Sequence, residues 1–353
     1  MKKASLITIL VLLSSMVLTA CQPAAAPAEE AAPAATAPAA AAPAAAEKTF
    51  KVCVSWNEEI HSQIRAWRDF MEAHATEVGP ANGIKFEWID NVANGDAVQQ
   101  ANNIQDCINQ KVDAIVVRAQ DSGTIGASIT AAKAANIPIL LMDREAASDG
   151  PQPTAFIGED TYKQAETTAK AFAALLKEKG VVGKCIEFQG DVLDKNAVNR
   201  SNAYHDVEKS EGAWVTVAQV PTEWKPEKFY SGGLNALQAH PEANCIYTAS
   251  DFTFSSIENA LEAVDKLYVT GDPKHVWVAG EDIHPQGYDA MVAKYYDLGT
   301  TFEVYDQAVL VVDVLIKVAL GQTVDPVNLV SGRLATEDTV VAMDHLYARD
   351  YRD

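Results

Sequence analysis

From residue 48 onward the chain alternates short apolar runs rich in β-branched residues with longer amphipathic stretches. Residues 50–56 (FKVCVSW), 84–89, 114–117 (AIVV), 137–142 (IPILLM) and 155–158 read as strands. Between them, residues 63–77, 97–109 and 124–135 place apolar side chains at helical steps, as Ile64, Trp67, Phe70 and Met71 show. The pattern then restarts. Helical stretches at 162–179, 197–208, 226–239, 254–267, 285–295 and 307–320 interleave with strand-like runs at 185–188, 214–220, 245–248, 276–279 and 300–304. The tail carries only weak strand signals. Strands separated by helices make βαβ units and parallel sheets. Two such runs predict an α/β protein of two doubly wound parallel-sheet lobes. No GxGxxG follows a strand and no P-loop is present, so the parallel sheets imply no nucleotide cofactor.

The start of the chain is different in kind. Lys2 and Lys3 lead into an apolar run from Leu6 to Leu18, which ends in Leu18-Thr19-Ala20-Cys21. A basic start, a short apolar core and small residues before a cut site form a secretory signal, too short to span about 30 Å of hydrocarbon. The Leu-Thr-Ala-Cys ending resembles the lipobox of bacterial lipoproteins, which implies cleavage after residue 20 and lipidation of Cys21. An acylated Cys21 would hold the chain on the outer face of a membrane. Residues 22–46 are almost entirely Ala and Pro, a composition that builds a tether rather than a core. The expected organisation is therefore a signal peptide (1–20), a lipidated tether (21–47) and a soluble body.

Composition narrows the partners. Nearly half of the 353 residues are apolar (48%), enough for a sizeable core. The formal net charge of −20 argues against nucleic acid, which demands a basic face. Beyond Cys21, four cysteines remain, Cys53, Cys107, Cys185 and Cys245, an even number in an oxidising compartment. No spacing among them suggests zinc. Cys53 falls in the first strand and Cys107 on the second helix, while Cys185 and Cys245 begin neighbouring strands. Any bridge is expected within a lobe, as Cys53–Cys107 or Cys185–Cys245. The second is the less expected, because adjacent parallel strands suit a bridge poorly. Four buried thiols are the alternative.

In open α/β sheets ligands sit beyond the carboxyl ends of the strands. Those positions hold Glu59 and His61, then Arg118, then Asp143 and Arg144, then Asn196 and Arg200, then Ser250 and Asp251, then Glu281 and Asp282. Asp121 and Asp251 read best as helix caps. Carboxylates accept pairs of hydroxyl hydrogen bonds and guanidiniums donate in a fork, so facing edges of this kind suit a polyol. Trp224, in Pro-Thr-Glu-Trp-Lys, has a flat face to offer to ring C–H groups.

Several stretches together resemble the type I periplasmic sugar-binding proteins of bacteria, which include the ribose and galactose/glucose binding proteins. They are Asp113-Ala-Ile-Val-Val with Asp121-Ser122, Ala135-Asn-Ile-Pro138 with Asp143-Arg144, Glu187-Phe-Gln-Gly190 with Arg200, His240-Pro241, and Gly280-Glu281-Asp282. The resemblance covers nearly all of residues 48–335. It implies a solute-binding protein of an ABC importer: two lobes joined by a three-strand hinge, trapping a sugar or polyol and handing it to a permease. By position, Asp143 and Arg144 resemble the pair that grips ring hydroxyls. Arg200, Trp224 and Asp282 match the second lobe's arginine, stacking aromatic and aspartate. Ser250 and Glu303 stand where the ribose protein has an asparagine and a glutamine. The expected lobes are 48–157 plus 304–330 and 158–303 plus 331–353, with hinges near Gly158, Glu303 and Val330. The first-strand segment, Glu58-Glu59-Ile60-His61-Ser62, departs from the family's Asn-Pro and aromatics, and Arg118 replaces a frequent amide. The ligand set expected is Glu59, His61, Arg118, Asp143, Arg144, Arg200, Trp224, Ser250, Asp282 and Glu303. Neutral sugar, cyclitol, linear polyol, amino sugar and sugar acid all stay open.

No cofactor or metal is expected, and the chain reads as a monomer. A sensor that presents bound sugar to a membrane receptor is the alternative function. An enzyme is disfavoured, because the carboxylates follow strands of two lobes and no Ser-His-Asp arrangement stands out.

Overall fold

A computed structural model describes residues 47–58 and 62–352. The signal segment, Cys21, the tether, Glu59 and His61 lie outside the described residues. The first run comprises β1 (Lys48–Trp56), α1 (Ser62–Val78), β2 (Ile84–Val92), α2 (Ala97–Asn109), β3 (Ala114–Val117), α3 (Ile125–Ala134), β4 (Ile139–Met142) and β5 (Ala155–Glu159). The second comprises α4 (Thr161–Glu178), β6 (Gly183–Gln189), α5 (Lys195–Glu211), β7 (Trp214–Pro221), α6 (Pro226–Ala239), β8 (Cys245–Thr248), α7 (Phe254–Glu262), β9 (Trp277–Asp282), α8 (Pro285–Val292) and β10 (Leu298–Thr301). The chain finishes with α9 (Val304–Ala319), β11 (Val327–Val330), β12 (Leu334–Thr336) and a short α10 (Tyr347–Asp350).

Two separate six-stranded sheets result, in the orders β2-β1-β3-β4-β5-β11 and β7-β6-β8-β9-β10-β12. Every pairing is parallel except β10 with β12. Central strands are apolar on both faces, so AIVV of β3 and ILLM of β4 are wholly buried. Each sheet with its packed helices is called a lobe below. On one face of the first sheet, α1 and α9 bury Trp56 and Trp67, stacked at 6.4 Å. On the other, α2 and α3 pack around Ile104, Ile115 and Ile129. The second sheet is covered by α6, α7 and α8 on one side. On the other, α4 and α5 bury Tyr204 against Tyr247, their rings 4.2 Å apart.

Local chemistry sets the helix ends. The Asp96 carboxylate accepts from the N–H groups of Val98 and Gln99 and starts α2. Asp194 does the same for α5 through Asn196 N–H, and Gly212, at φ 60°, ends that helix. The helix expected to reach residue 267 stops at Glu262, because Asp265 turns left-handed at φ 53° and Lys266 N–H closes back on Leu261 O.

The chain passes between the sheets three times: between β5 and α4, between β10 and α9, and between β11 and β12. Charged groups tie these crossings together. Arg333 donates through Nε and Nη2 to the Glu303 carboxylate at 2.7 and 3.0 Å. Glu303 N–H in turn faces Glu159 Oε2 at 3.4 Å. Both disulfides form, each inside one sheet's lobe: Cys53–Cys107 and Cys185–Cys245. The second was the less expected. Cys185 and Cys245 are register partners on β6 and β8 with Cα atoms 4.4 Å apart, at the short end of what a bridge requires.

The tail does not stay with one lobe. Leu346 and Ala348 pack into the second core and Tyr347 into the first. Tyr351 meets the Phe70 ring of α1 edge-on at 5.2 Å, and Arg352 pairs with Asp289 of α8 at 2.8 Å.

Candidate functional site: the interlobe cleft

The strand ends of the two lobes face each other across a cavity of about 370 Å³. On the first wall, β1, β3 and β4 deliver Glu58, Arg118, Asp143 and Arg144. Arg118 is buried and bonded on several sides. Its Nε donates to Asp143 Oδ2 at 2.6 Å, and its Nη1 reaches Asn57 Oδ1 and Glu58 Oε1 at 2.5 and 2.8 Å. Its guanidinium lies 5.4 Å above the Trp67 ring. Burial opposes the charge, yet Asp143 and Glu58 outweigh it and hold Arg118 firmly protonated.

The second wall carries Asp194, Asn196, Arg200, Trp224, Ser250, Asp282 and His284. Arg200 and Asp282 form a forked pair, with Nη2–Oδ1 at 2.5 Å and Nη1–Oδ2 at 3.1 Å. Gln164 accepts from the same guanidinium, and Ala249 O accepts from its Nη1. Burial would raise Asp282. The charge of Arg200, with His284 nearby, overcomes it and keeps the carboxylate well below its usual range. Behind this pair, burial pushes Glu281 up to about 8, against the opposing charge of Arg200. Its oxygens accept from Thr168, Thr300 and Tyr247.

Asp143 and Asp282, the central carboxylate of each wall, share an unusual backbone, with φ of 65° and 91°. L-residues avoid that region, and strain of this kind persists only where the surroundings over-determine it. Trp224 and its neighbour Glu223 are also left-handed, at 56° and 51°. The indole N–H donates to Asp194 Oδ2 at 3.1 Å, while Phe252 meets the ring edge-on at 6.4 Å. Gly190 lets the ring lie against the backbone, since a Cβ there would fall 2.0 Å from it.

The rims of the lobes touch. Asn196 Nδ2 lies 3.2 Å from both Asp143 O and Asp143 Oδ1. Arg144 Nε stands 3.6 Å from Asp194 Oδ2, and Lys195 pairs with Glu145. Contacts thus cross from one lobe to the other beside the cavity.

Of the residues expected from sequence, Arg118, Asp143, Arg144, Arg200, Trp224, Ser250 and Asp282 line this one cavity. Glu59 and His61 lie outside the described residues. Glu303 does not line it: it sits at the second crossing, where Arg333 and Thr301 occupy its carboxylate. Asp121 was expected to cap a helix; its Oδ1 accepts from Thr124 N–H in the turn that leads into α3, whose N-cap position is Thr124 itself. Asp251 does not cap the helix that follows it, because its Oδ1 accepts from His284 N–H at the start of α8 instead. Sequence reasoning missed Asp194, Phe252 and His284. Asp194 had a legible signal as the cap opening a helix after a strand, and His284-Pro285 stands just past the β9 strand end. Among the described residues no group of three His, Cys, Asp or Glu side chains is placed to hold a metal ion.

Two parallel-sheet lobes with three crossings and a charged cleft between them have the architecture of the periplasmic binding proteins. Residues 60–323 match the family described as Periplasmic binding protein domain, and the chain belongs to that family. The expected resemblance to its type I sugar-binding members holds. The chain is 28% identical over 174 residues to the D-apiose import binding protein of Actinobacillus succinogenes, covering 49% of this chain and 55% of that one. It is 28% identical over 204 residues to the ribose import binding protein of Bacillus subtilis, covering 57% and 60%. The matches thus span just over half the length of these curated relatives. Among solved structures, an ABC transporter solute binding protein from Bacillus halodurans C-125 with bound myo-inositol superposes with a TM-score of 0.72. It shares 22% identity and covers 86% of this chain and 98% of that one, a likeness of fold.

Proposed function

We propose that this protein is an extracytoplasmic solute-binding lipoprotein, anchored through Cys21, that captures a small neutral sugar or polyol and delivers it to the permease of an ABC importer. The observation that carries the reading is the pairing of charges in the cleft. Each of the three cleft guanidiniums faces a protein carboxylate: Arg118 with Asp143, Arg144 with Asp194 and Arg200 with Asp282. An anionic sugar would have to displace one of these carboxylates. A neutral polyol needs only to share the lone pairs and N–H groups that such pairs leave exposed. The cavity, about 370 Å³, suits a monosaccharide-sized ligand. D-apiose, ribose and myo-inositol, the solutes of the similar proteins above, are all neutral polyols of that size. The basic, apolar and Leu-Thr-Ala-Cys pattern at the start of the chain supports the anchor, and the Ala/Pro stretch supports a tether.

The test is titration calorimetry with D-ribose, D-apiose and myo-inositol on the wild-type protein and on D143N and D282N. Asparagine tolerates the left-handed backbone at both sites and removes only the charge. Losing a charged hydrogen-bonding partner should weaken binding by about ten- to a hundredfold. Wild-type affinity in both folded variants would place the site elsewhere.

A further inference from the structure

His284 occupies a position that the charge pairs do not account for. It lines the cleft two residues beyond Asp282, and its backbone N–H is fixed by Asp251 Oδ1 at 2.7 Å. Among the described residues its ring meets three groups. Nδ1 lies 2.6 Å from the Tyr347 hydroxyl, Nε2 lies 3.7 Å from Asp282 Oδ2, and the Phe252 ring stands edge-on at 6.1 Å. Burial drives the Tyr347 pKa well above 10, so the phenol keeps its proton and has it to donate in the short bond to Nδ1. With the phenol donating, Nδ1 supplies the lone pair and the ring proton falls on Nε2, on the side of Asp282. Arg200 grips both oxygens of Asp282 from one direction, and the imidazole faces Oδ2 from another. Such bracketing suits a carboxylate held at φ 91°.

Tyr347 comes from the C-terminal segment, which is anchored in both lobes. Its own ring is buried with α1 and α9 of the first lobe, while its neighbours Leu346 and Ala348 are buried in the second. Farther along, Arg65 Nη2 of α1 donates to Arg352 O at 2.9 Å, and Arg352 Nη1 donates to Asp289 of α8. The segment thus delivers its phenol to the back of the cleft from a fixed frame.

We infer that His284 is a ligand-positioning residue, held by Tyr347 of the C-terminal segment in the tautomer that turns an Nε2–H toward Asp282 and the cleft. The inference rests on the reading of the cleft as a polyol site. It makes the tail of the chain part of the binding apparatus. A merely structural tyrosine would give a variant that is less stable but binds normally. A positioning tyrosine changes the imidazole and the affinity together.

The experiment has two readouts. Two-bond ¹H–¹⁵N correlation spectra of the ligand-free protein report the His284 tautomer in wild type and Y347F. Calorimetry with D-ribose, D-apiose and myo-inositol reports affinity for wild type, Y347F, H284Q and H284A. The expected result is an Nε2–H ring in wild type and a loss of that preference in Y347F. Binding should weaken about three- to tenfold in Y347F and H284A, the size of one neutral hydrogen bond. H284Q, whose amide N–H can replace Nε2–H, should lose less than H284A. That comparison decides the matter even if Y347F releases the C-terminal segment. An Nδ1–H ring in wild type, or H284A and H284Q binding as wild type does, overturns the inference alone. A wild-type protein that binds none of the three sugars overturns the reading of the cleft, and the relay with it.

Discussion

Two ionisable side chains of the second lobe tie stability to pH. Glu281 holds its proton in the fold up to about pH 8, whereas an unfolded glutamate releases it near 4.5. The folded chain therefore binds more protons between those values, and its contribution to stability falls as pH rises through that window. His205 acts in the same direction. Its hydrogen bond to Glu187 raises it from 6.5 to about 9, so its contribution is complete below 6.5 and lost by about 9. Melting curves should thus show stability declining from mildly acid to alkaline pH. E281Q should flatten the decline below about pH 8, and H205Q the part above 6.5. Curves for both variants that parallel wild type would contradict these assignments. The strand-end rule made Arg118, Asp143 and Asp282 legible in the sequence, because residues at the end of a β-strand of a parallel sheet face the ligand edge, while Arg200, on α5, was placed by the family resemblance. Glu303 was carried over by resemblance alone and lies elsewhere, since at the crossing Arg333 takes its carboxylate. His284 is a lone histidine whose meaning depends on Tyr347, sixty-three positions away, and no local pattern could have joined them.

At the level of elements, periodicity located nearly every helix and strand of the two runs. α2, α6, β3 and β8 have the expected bounds, because turn residues and caps punctuate them sharply. The tail was not legible. β12 is three residues long and pairs antiparallel at a sheet edge, and α10 is a single turn whose partners lie in both lobes. The disulfides were half legible: pairing within lobes followed from where the cysteines fell, but β6–β8 register was needed to see that Cys185 and Cys245 meet. Each bridge braces one lobe and leaves the crossings alone. Replacing Cys53 and Cys107 together by alanine should cost about 2–4 kcal/mol of stability in denaturant unfolding. Sugar affinity at the remaining folded protein should change by less than about twofold. A large loss of affinity without loss of stability would mean that this bridge supports the cleft.

Over the whole molecule, two lobes meet over a cavity and touch at its rim. Lys195–Glu145 is a partly exposed pair at that rim, so its contribution to closure is small and sensitive to salt. K195A should weaken binding by no more than about fivefold, an effect that high salt erases. A larger, salt-insensitive loss would move this pair from the rim into the grip itself. Closure around a bound solute also stabilises both lobes at once, because binding draws on the folded state alone. The most direct test of the central claim is a thermal-shift measurement with D-ribose, D-apiose and myo-inositol on the wild-type protein and on the D143N/D282N double variant. The account predicts that at least one of them raises the wild-type melting temperature. At a hundred times its Kd the gain is about 2.7 kcal/mol, on the order of 5 °C, and the double variant should show none of it. No shift with any of the three, or an equal shift in the double variant, would contradict a neutral polyol site between these two carboxylates.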